Sequence, residues 1–139
     1  LSPTLFLLFI NDLLSLTNCP IHSYADDTTL HYSTSFDTYP NKQVTNIARI
    51  DAAERLTSDL SIISNWGKKN LVSFNAEKTQ FLHISTRHDT PENYPIFFNN
   101  TQLVPSSSLN CLGLSFSPKL NWYSHILSLT KSASSRLGV

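Results

Sequence analysis

Residues Ile21 to Ser33 read IHSYADDTTLHYS, and the fold turns on how this stretch divides. Two runs of strand-forming residues, Ile21 to Ala25 and Thr28 to Ser33, flank the adjacent acids Asp26 and Asp27 with room for no more than a tight turn. The pattern predicts a β-hairpin with two carboxylates at its tip. A turn without Gly, Pro or Asn is poorly made for its own sake, and neighbouring acids repel, so a compensating group is expected there. A divalent cation is the simplest one, because Mg²⁺ takes hard oxygen ligands and is held by one or two carboxylates together with phosphate oxygens. The same residue types also fit a solvated turn, in which paired acids are common. Ile21, Ser23 and Ala25 alternate with His22 and Tyr24 on the first strand, and Leu30 and Tyr32 with Thr29 and His31 on the second, so each face is mixed.

Upstream, Leu1-Ser2-Pro3-Thr4 opens a helix: Ser2 is a good N-cap, Pro3 suits the first helical position, and LFLLFINDLL continues with strong helix formers. It shows almost no polar face before Asn11 and Asp12, which predicts burial on most sides. Thr17 to Pro20 is a short turn into the hairpin. Downstream, Ser33 to Asn41 reads as loop, and a long helix is expected from about Gln43 to Lys69. Its apolar positions are Ile47, Ala52, Leu56, Leu60, Ile63 and Trp66, with Arg49, Glu54, Arg55 and Asp59 left to the other faces.

After Asn75-Ala76-Glu77-Lys78-Thr79 a strand is expected over Gln80 to Ser85, then a loop over Arg87 to Asn93. Pro95 to Phe98 and Thr101 to Val104 make a hairpin about Asn99-Asn100, since Asn tolerates a left-handed backbone. Leu109 to Phe116 reads as one strand in which Gly113 allows a bulge or a close approach. From Leu120 a last helix runs toward Leu137, with Ile126, Leu129, Ala133 and Leu137 on one stripe.

Composition narrows the classes. The 139 residues are 40% hydrophobic and only 14% charged, with formal net charge zero, which argues against a stand-alone nucleic-acid binder relying on bulk positive charge. The length suits one ordinary domain. Cys19 and Cys111 follow no CxxC spacing and read as reduced thiols, and His22, His31, His83, His88 and His125 show no zinc-ligand spacing. The longest apolar run, Leu5 to Ile10, falls far short of a membrane span. There is no Met and no signal-peptide pattern, so the chain is expected to begin mid-protein, as a fragment.

Five blocks in order, LSPTLF, YADD, the helix carrying Trp66, NAEKT, and the Leu112-Gly113 strand followed by WYSHI, resemble the reverse transcriptases of non-LTR retrotransposons, LINE-type and jockey-like. The resemblance implies an α+β fold: a partial polymerase palm over residues 1–117, a small antiparallel sheet with the catalytic hairpin backed by helices. Residues 118–139 would begin the thumb or connection helix. It implies RNA-directed DNA synthesis by two-metal phosphoryl transfer, with Mg²⁺, or Mn²⁺ in its place, on Asp26 and Asp27. Lys78 would serve the departing pyrophosphate as the third catalytic residue. Tyr24, Ala25, Ser2 and Pro3 would bind substrate, and the Leu-Gly segment would be the primer grip. The implied partners are an RNA template, a DNA primer and a deoxynucleoside triphosphate, with no membrane, in an intracellular compartment, nuclear or cytoplasmic. The family's Gln-Gly pair and upstream aspartate are not in these residues, so the chain alone is expected to be inactive. The competing reading is a non-catalytic structural or binding domain, or the product of a decayed transposon copy.

Overall fold

Helix α1 (Pro3–Leu14) begins at its proline, whose fixed φ suits a first turn where the missing N–H costs nothing, in a computed structural model that describes residues 3–35, 41–85 and 94–138. Ser2, the expected N-cap, lies outside the described residues. The chain forms two units: one runs through Thr79 and takes in the segment ending at Leu103, the other starts at Gln80 and resumes at Val104.

In the first unit α1 packs against strand β1 (Ile21–Tyr24). The expected burial on most sides is not what the structure has: Ile10 and Leu13 are buried, while Leu5, Phe6, Leu7, Leu8 and Phe9 are exposed. A helix packed along one side covers one stripe, however apolar its remaining faces are. β1 pairs with β2 (Asp27–Leu30) in an antiparallel ribbon.

Helix α2 (Lys42–Lys69) matches the expected long helix, capped by the Asn41 side chain, which accepts from the Val44 N–H at 2.9 Å. Its buried residues include Ala53, Leu60, Ile63 and Trp66, but Ile47 is exposed, and Asp59, assigned by sequence to an outer face, is fully buried. The reason is legible in the numbering: Leu56, Asp59, Ile63 and Trp66 recur at three- and four-residue steps, so Asp59 occupies the apolar stripe itself.

Strands β3 (Ile96–Phe98) and β4 (Thr101–Leu103) form the predicted hairpin, with Asn99 and Asn100 at φ 48° and 61°, the left-handed pair of a type I′ turn. Ile96 and Phe98 are buried on α2 and Phe97 is exposed. Phe9, Trp66, Phe74 and Phe98 form a run of rings with centroids 5.4, 6.3 and 6.4 Å apart. Gly67 lets the chain double back there, since a Cβ would stand 2.7 Å from the Val72 carbonyl oxygen.

The second unit departs further from expectation. No strand forms over 80–85: a single bridge joins Phe81 to Pro105, the Ser106 N–H donates to the Phe81 carbonyl at 2.7 Å, and the Ser85 N–H donates to the Pro118 carbonyl at 3.0 Å. Two of the facing residues are prolines, which have no N–H to return, so no ladder propagates. The single strand expected over Leu109 to Phe116 is instead a hairpin, β5 (Leu109–Cys111) and β6 (Leu114–Phe116), turning at Leu112 and Gly113 with φ 48° and 80°. Gly113 meets nothing within 4 Å, so it serves positive φ and not a close approach. Helix α3 (Tyr123–Leu137) packs on β6, where the Ser115 N–H donates to His125 Nδ1 at 3.4 Å, and buries none of its residues. The class is α+β as expected, with the antiparallel pairing carried, among the described residues, by three separate two-stranded ribbons.

Candidate active site

The β1–β2 ribbon pairs Ile21 with Leu30, His22 with Thr29, Ser23 with Thr28 and Tyr24 with Asp27, and the His31 N–H adds a rung to the Pro20 carbonyl at 3.1 Å. The turn is therefore Ala25-Asp26, one residue earlier than the acid pair suggested. Asp27 is the first residue of β2. Only the first turn residue has positive φ, Ala25 at 52°, the pattern of a type II′ turn, which normally places Gly there. Below it Ser23 Oγ donates to the Ala25 carbonyl at 3.3 Å and shares a hydrogen bond of 3.3 Å with Thr28 Oγ1.

Register decides what the tip offers. Ile21, Ser23, Thr28 and Leu30 form a half-buried face, while His22, Tyr24, Asp27 and Thr29 face outward. His31 stacks on His22 from the diagonal position, with centroids 5.3 Å apart and planes 9° from parallel. Tyr24, 68% exposed, stands across from Asp27 with Asp26 beside it in the turn. Neither side-chain carboxylate makes a hydrogen bond or ion pair among the described residues. Among those residues no group of three or more His, Cys, Asp or Glu could hold a metal ion, so no further acid, His or Cys joins these two carboxylates at the tip. That donor set suits Mg²⁺, which completes its shell with water and phosphate oxygens.

The base of the ribbon is tied to α2. Asp59 Oδ1 accepts from the Asn18 N–H at 3.1 Å and from Asn18 Nδ2 at 3.0 Å, and its Oδ2 accepts from the Cys19 N–H at 2.6 Å. Burial pushes the Asp59 carboxyl up, but the hydrogen bonds from Cys19 and Asn18 outweigh it and leave it below the usual carboxylate range. The same burial, with the Asp59 hydrogen bond and charge, drives the Cys19 thiol up to about 11. Beyond the other strand, the Tyr32 hydroxyl donates to Asp51 Oδ2 at 2.9 Å, and Arg55 Nε donates to the same oxygen at 2.8 Å. The Arg55 guanidinium lies over the Tyr32 ring, 5.7 Å from its centroid. Hydrogen bonds from Arg55 and then Tyr32 hold the Asp51 carboxyl low, and the bond to Asp51 raises the Tyr32 phenol. These anchoring residues were missed by sequence reasoning; an acid at a stripe position of α2 was the available signal for Asp59.

The other expected site residues lie on different elements. Lys78 ends an exposed 3₁₀ turn (Ala76–Lys78) that packs on β4, with the Asn75 side chain accepting from the Glu77 N–H at 2.8 Å. No hydrogen bond or ion pair joins Lys78 to the tip acids. Pro3 is exposed at the start of α1, and Ser2 lies outside the described residues. The structure thus brings Tyr24, Ala25, Asp26 and Asp27 together and carries Lys78 and Pro3 on other elements of the same unit. Comparison with curated proteins and with solved structures gives no significant match. A family model described as reverse transcriptase (RNA-dependent DNA polymerase) matches residues 1–116, spanning both the hairpin and the Leu112-Gly113 turn, and the chain belongs to that family.

Proposed function

We propose that this chain is the C-terminal palm, with the start of the thumb from residue 118, of a non-LTR retrotransposon reverse transcriptase. The observation that carries the reading is the tip of the β1–β2 ribbon: two adjacent carboxylates without a partner among the described residues, held on a closed turn beside an exposed tyrosine. Asp26 and Asp27 would hold the divalent ion, which when bound neutralises charge developing on the α-phosphate as the primer 3′ hydroxyl attacks. Tyr24 and the small Ala25 lie under the primer end and the incoming deoxynucleotide. Lys78 supplies a positive charge or a proton to the leaving pyrophosphate. The Leu112-Gly113 hairpin grips the primer. RNA template and DNA primer are the partners, and the thiol state of both cysteines fits an intracellular, nuclear or cytoplasmic, setting. No helix among the described residues is long and apolar enough to cross a membrane.

Two carboxylates make half of a two-metal cage, so residues 1–139 alone extend no primer. Primer extension on poly(A) and oligo(dT) checks this; incorporation that disappears in Asp26→Asn would overturn it. Metal binding is read separately, by Mn²⁺ titration of the ¹⁵N-labelled chain. Paramagnetic broadening is expected first at Ala25 to Asp27 and is lost in Asp26→Asn. A titration that leaves those resonances sharp while others broaden would remove the metal role.

A further inference from the structure

Asp59 is 0% exposed, pairs with no cation among the described residues, and accepts its hydrogen bonds from the two residues that lead into β1. Burying a carboxylate is costly unless donors surround it, so an acid kept at this stripe position needs a reason that a leucine would not satisfy. The position of its donors supplies one. Cys19 adjoins Pro20, whose carbonyl is the last rung of the ribbon, and Tyr32 adjoins His31, which donates to that rung. Tyr32 is itself tied to Asp51. Asp51, Arg55 and Asp59 follow one another at four-residue steps along α2, a single surface ridge about 12 Å long.

We infer that Asp59 is a positioning residue for the hairpin: through the amides of Asn18 and Cys19 it fixes the angle at which the ribbon leaves α2, and so where Asp26 and Asp27 point. An isolated two-stranded ribbon is marginal, and its tip stands about 13 Å from its base. A tilt of about 15° at the base would carry the acids about 3 Å, far beyond the tolerance of aligned phosphoryl chemistry. The carboxylate is specific to the task. Asn at the same position offers one acceptor oxygen and turns a donor toward one of the N–H groups. The inference deepens the proposed function and rests on it for the meaning of the tip, but not for the geometry of the base.

The test compares the 139-residue chain with Asp59→Asn, Asn18→Ala and, as a control, Leu60→Val, which loosens the same stretch of α2 without touching a hydrogen bond. Amide residual dipolar couplings report the direction of β1 and β2 relative to α2, and Mn²⁺ titration reports the tip. In Asp59→Asn the ribbon couplings are expected to depart from the α2 alignment, while Mn²⁺ broadening at Asp26 and Asp27 is kept, because both carboxylates ride on the ribbon's own turn. Asn18→Ala moves the couplings in the same direction by less. Leu60→Val lowers the melting temperature and does not move them. Should Asp59→Asn fail to fold, Asn18→Ala decides alone. Couplings unchanged in Asn18→Ala and in a folded Asp59→Asn would overturn the inference, as would equal changes in Leu60→Val. If Mn²⁺ leaves the unmodified tip sharp, the polymerase reading fails, and the couplings still decide the positioning role.

Discussion

Ala25 sits at φ 52°, where a Cβ crowds the following carbonyl and costs about 1–2 kcal/mol relative to glycine. A glycine would relieve that strain and lose about 0.4–1 kcal/mol through the freer unfolded chain. Ala25→Gly is therefore expected to stabilise the protein by about 0.5 kcal/mol, visible as a higher urea midpoint at unchanged slope; a loss of stability would mean that the turn is not strained. At Asp59 the sign runs through linkage. Its folded carboxyl lies below the ordinary value of 3.8, so its contribution is present above that pH and is lost as pH falls through the folded value. The melting temperature should drop steeply below about pH 4, with a shallower drop in Asp59→Asn, and Asp59→Ala should cost about 3 kcal/mol at neutral pH by stranding buried donors. A pH profile identical in Asp59→Asn would contradict this. Asp51 adds little to the profile, because its pair with Arg55 is solvent-screened.

The three ribbons close by the same device, a two-residue loop with positive φ, built from different residues: Ala25-Asp26, Asn99-Asn100 and Leu112-Gly113. How legible each was follows from that chemistry. Two asparagines announce a left-handed turn, so the β3–β4 turn was readable to the residue and each strand within one residue at its outer end. Ala25 carries no such mark, and the turn was placed one residue late. Leu112 disguised the third turn as a continuous apolar strand, and Gly113 alone could not separate a turn from a bulge. The strand expected over 80–85 failed for a reason outside its own residues, the prolines facing it. The hairpin that carries the two acids was legible because its pattern is local. Its anchorage was not, because Asp59 acts across 40 residues of sequence on Cys19 and looks like surface charge until the stripe is drawn through it. Leu112 gives the element-scale prediction. Asn-Gly is the preferred type I′ pair, so Leu112→Asn is expected to stabilise the β5–β6 hairpin by about 0.5–1 kcal/mol, with stronger amide-exchange protection across Leu109 to Phe116. Weaker protection would show that the leucine packs where the structure leaves it exposed.

At the scale of the whole chain, apolar surface and charge act together. Leu5 and Leu8 lie one helical turn apart on α1 and are 52% and 66% exposed, and Phe6, Leu7 and Phe9 flank them; on α3, Ile126, Leu129 and Leu137 are exposed as well. Exposed apolar side chains on a chain of zero net charge meet little electrostatic repulsion to keep copies apart. The 139 residues in isolation should therefore associate at micromolar concentration near neutral pH, with light scattering reporting masses above one chain. Leu5→Lys with Leu8→Lys attacks both causes at once, removing apolar area and adding two positive charges on a face that buries neither residue. The double variant should shift the mass toward monomer and leave the melting temperature within a few degrees, since surface substitutions cost little. A monomeric parent chain with a sharp, concentration-independent melt would sink the argument, and it would mean that the exposed face of α1 is covered from within the chain.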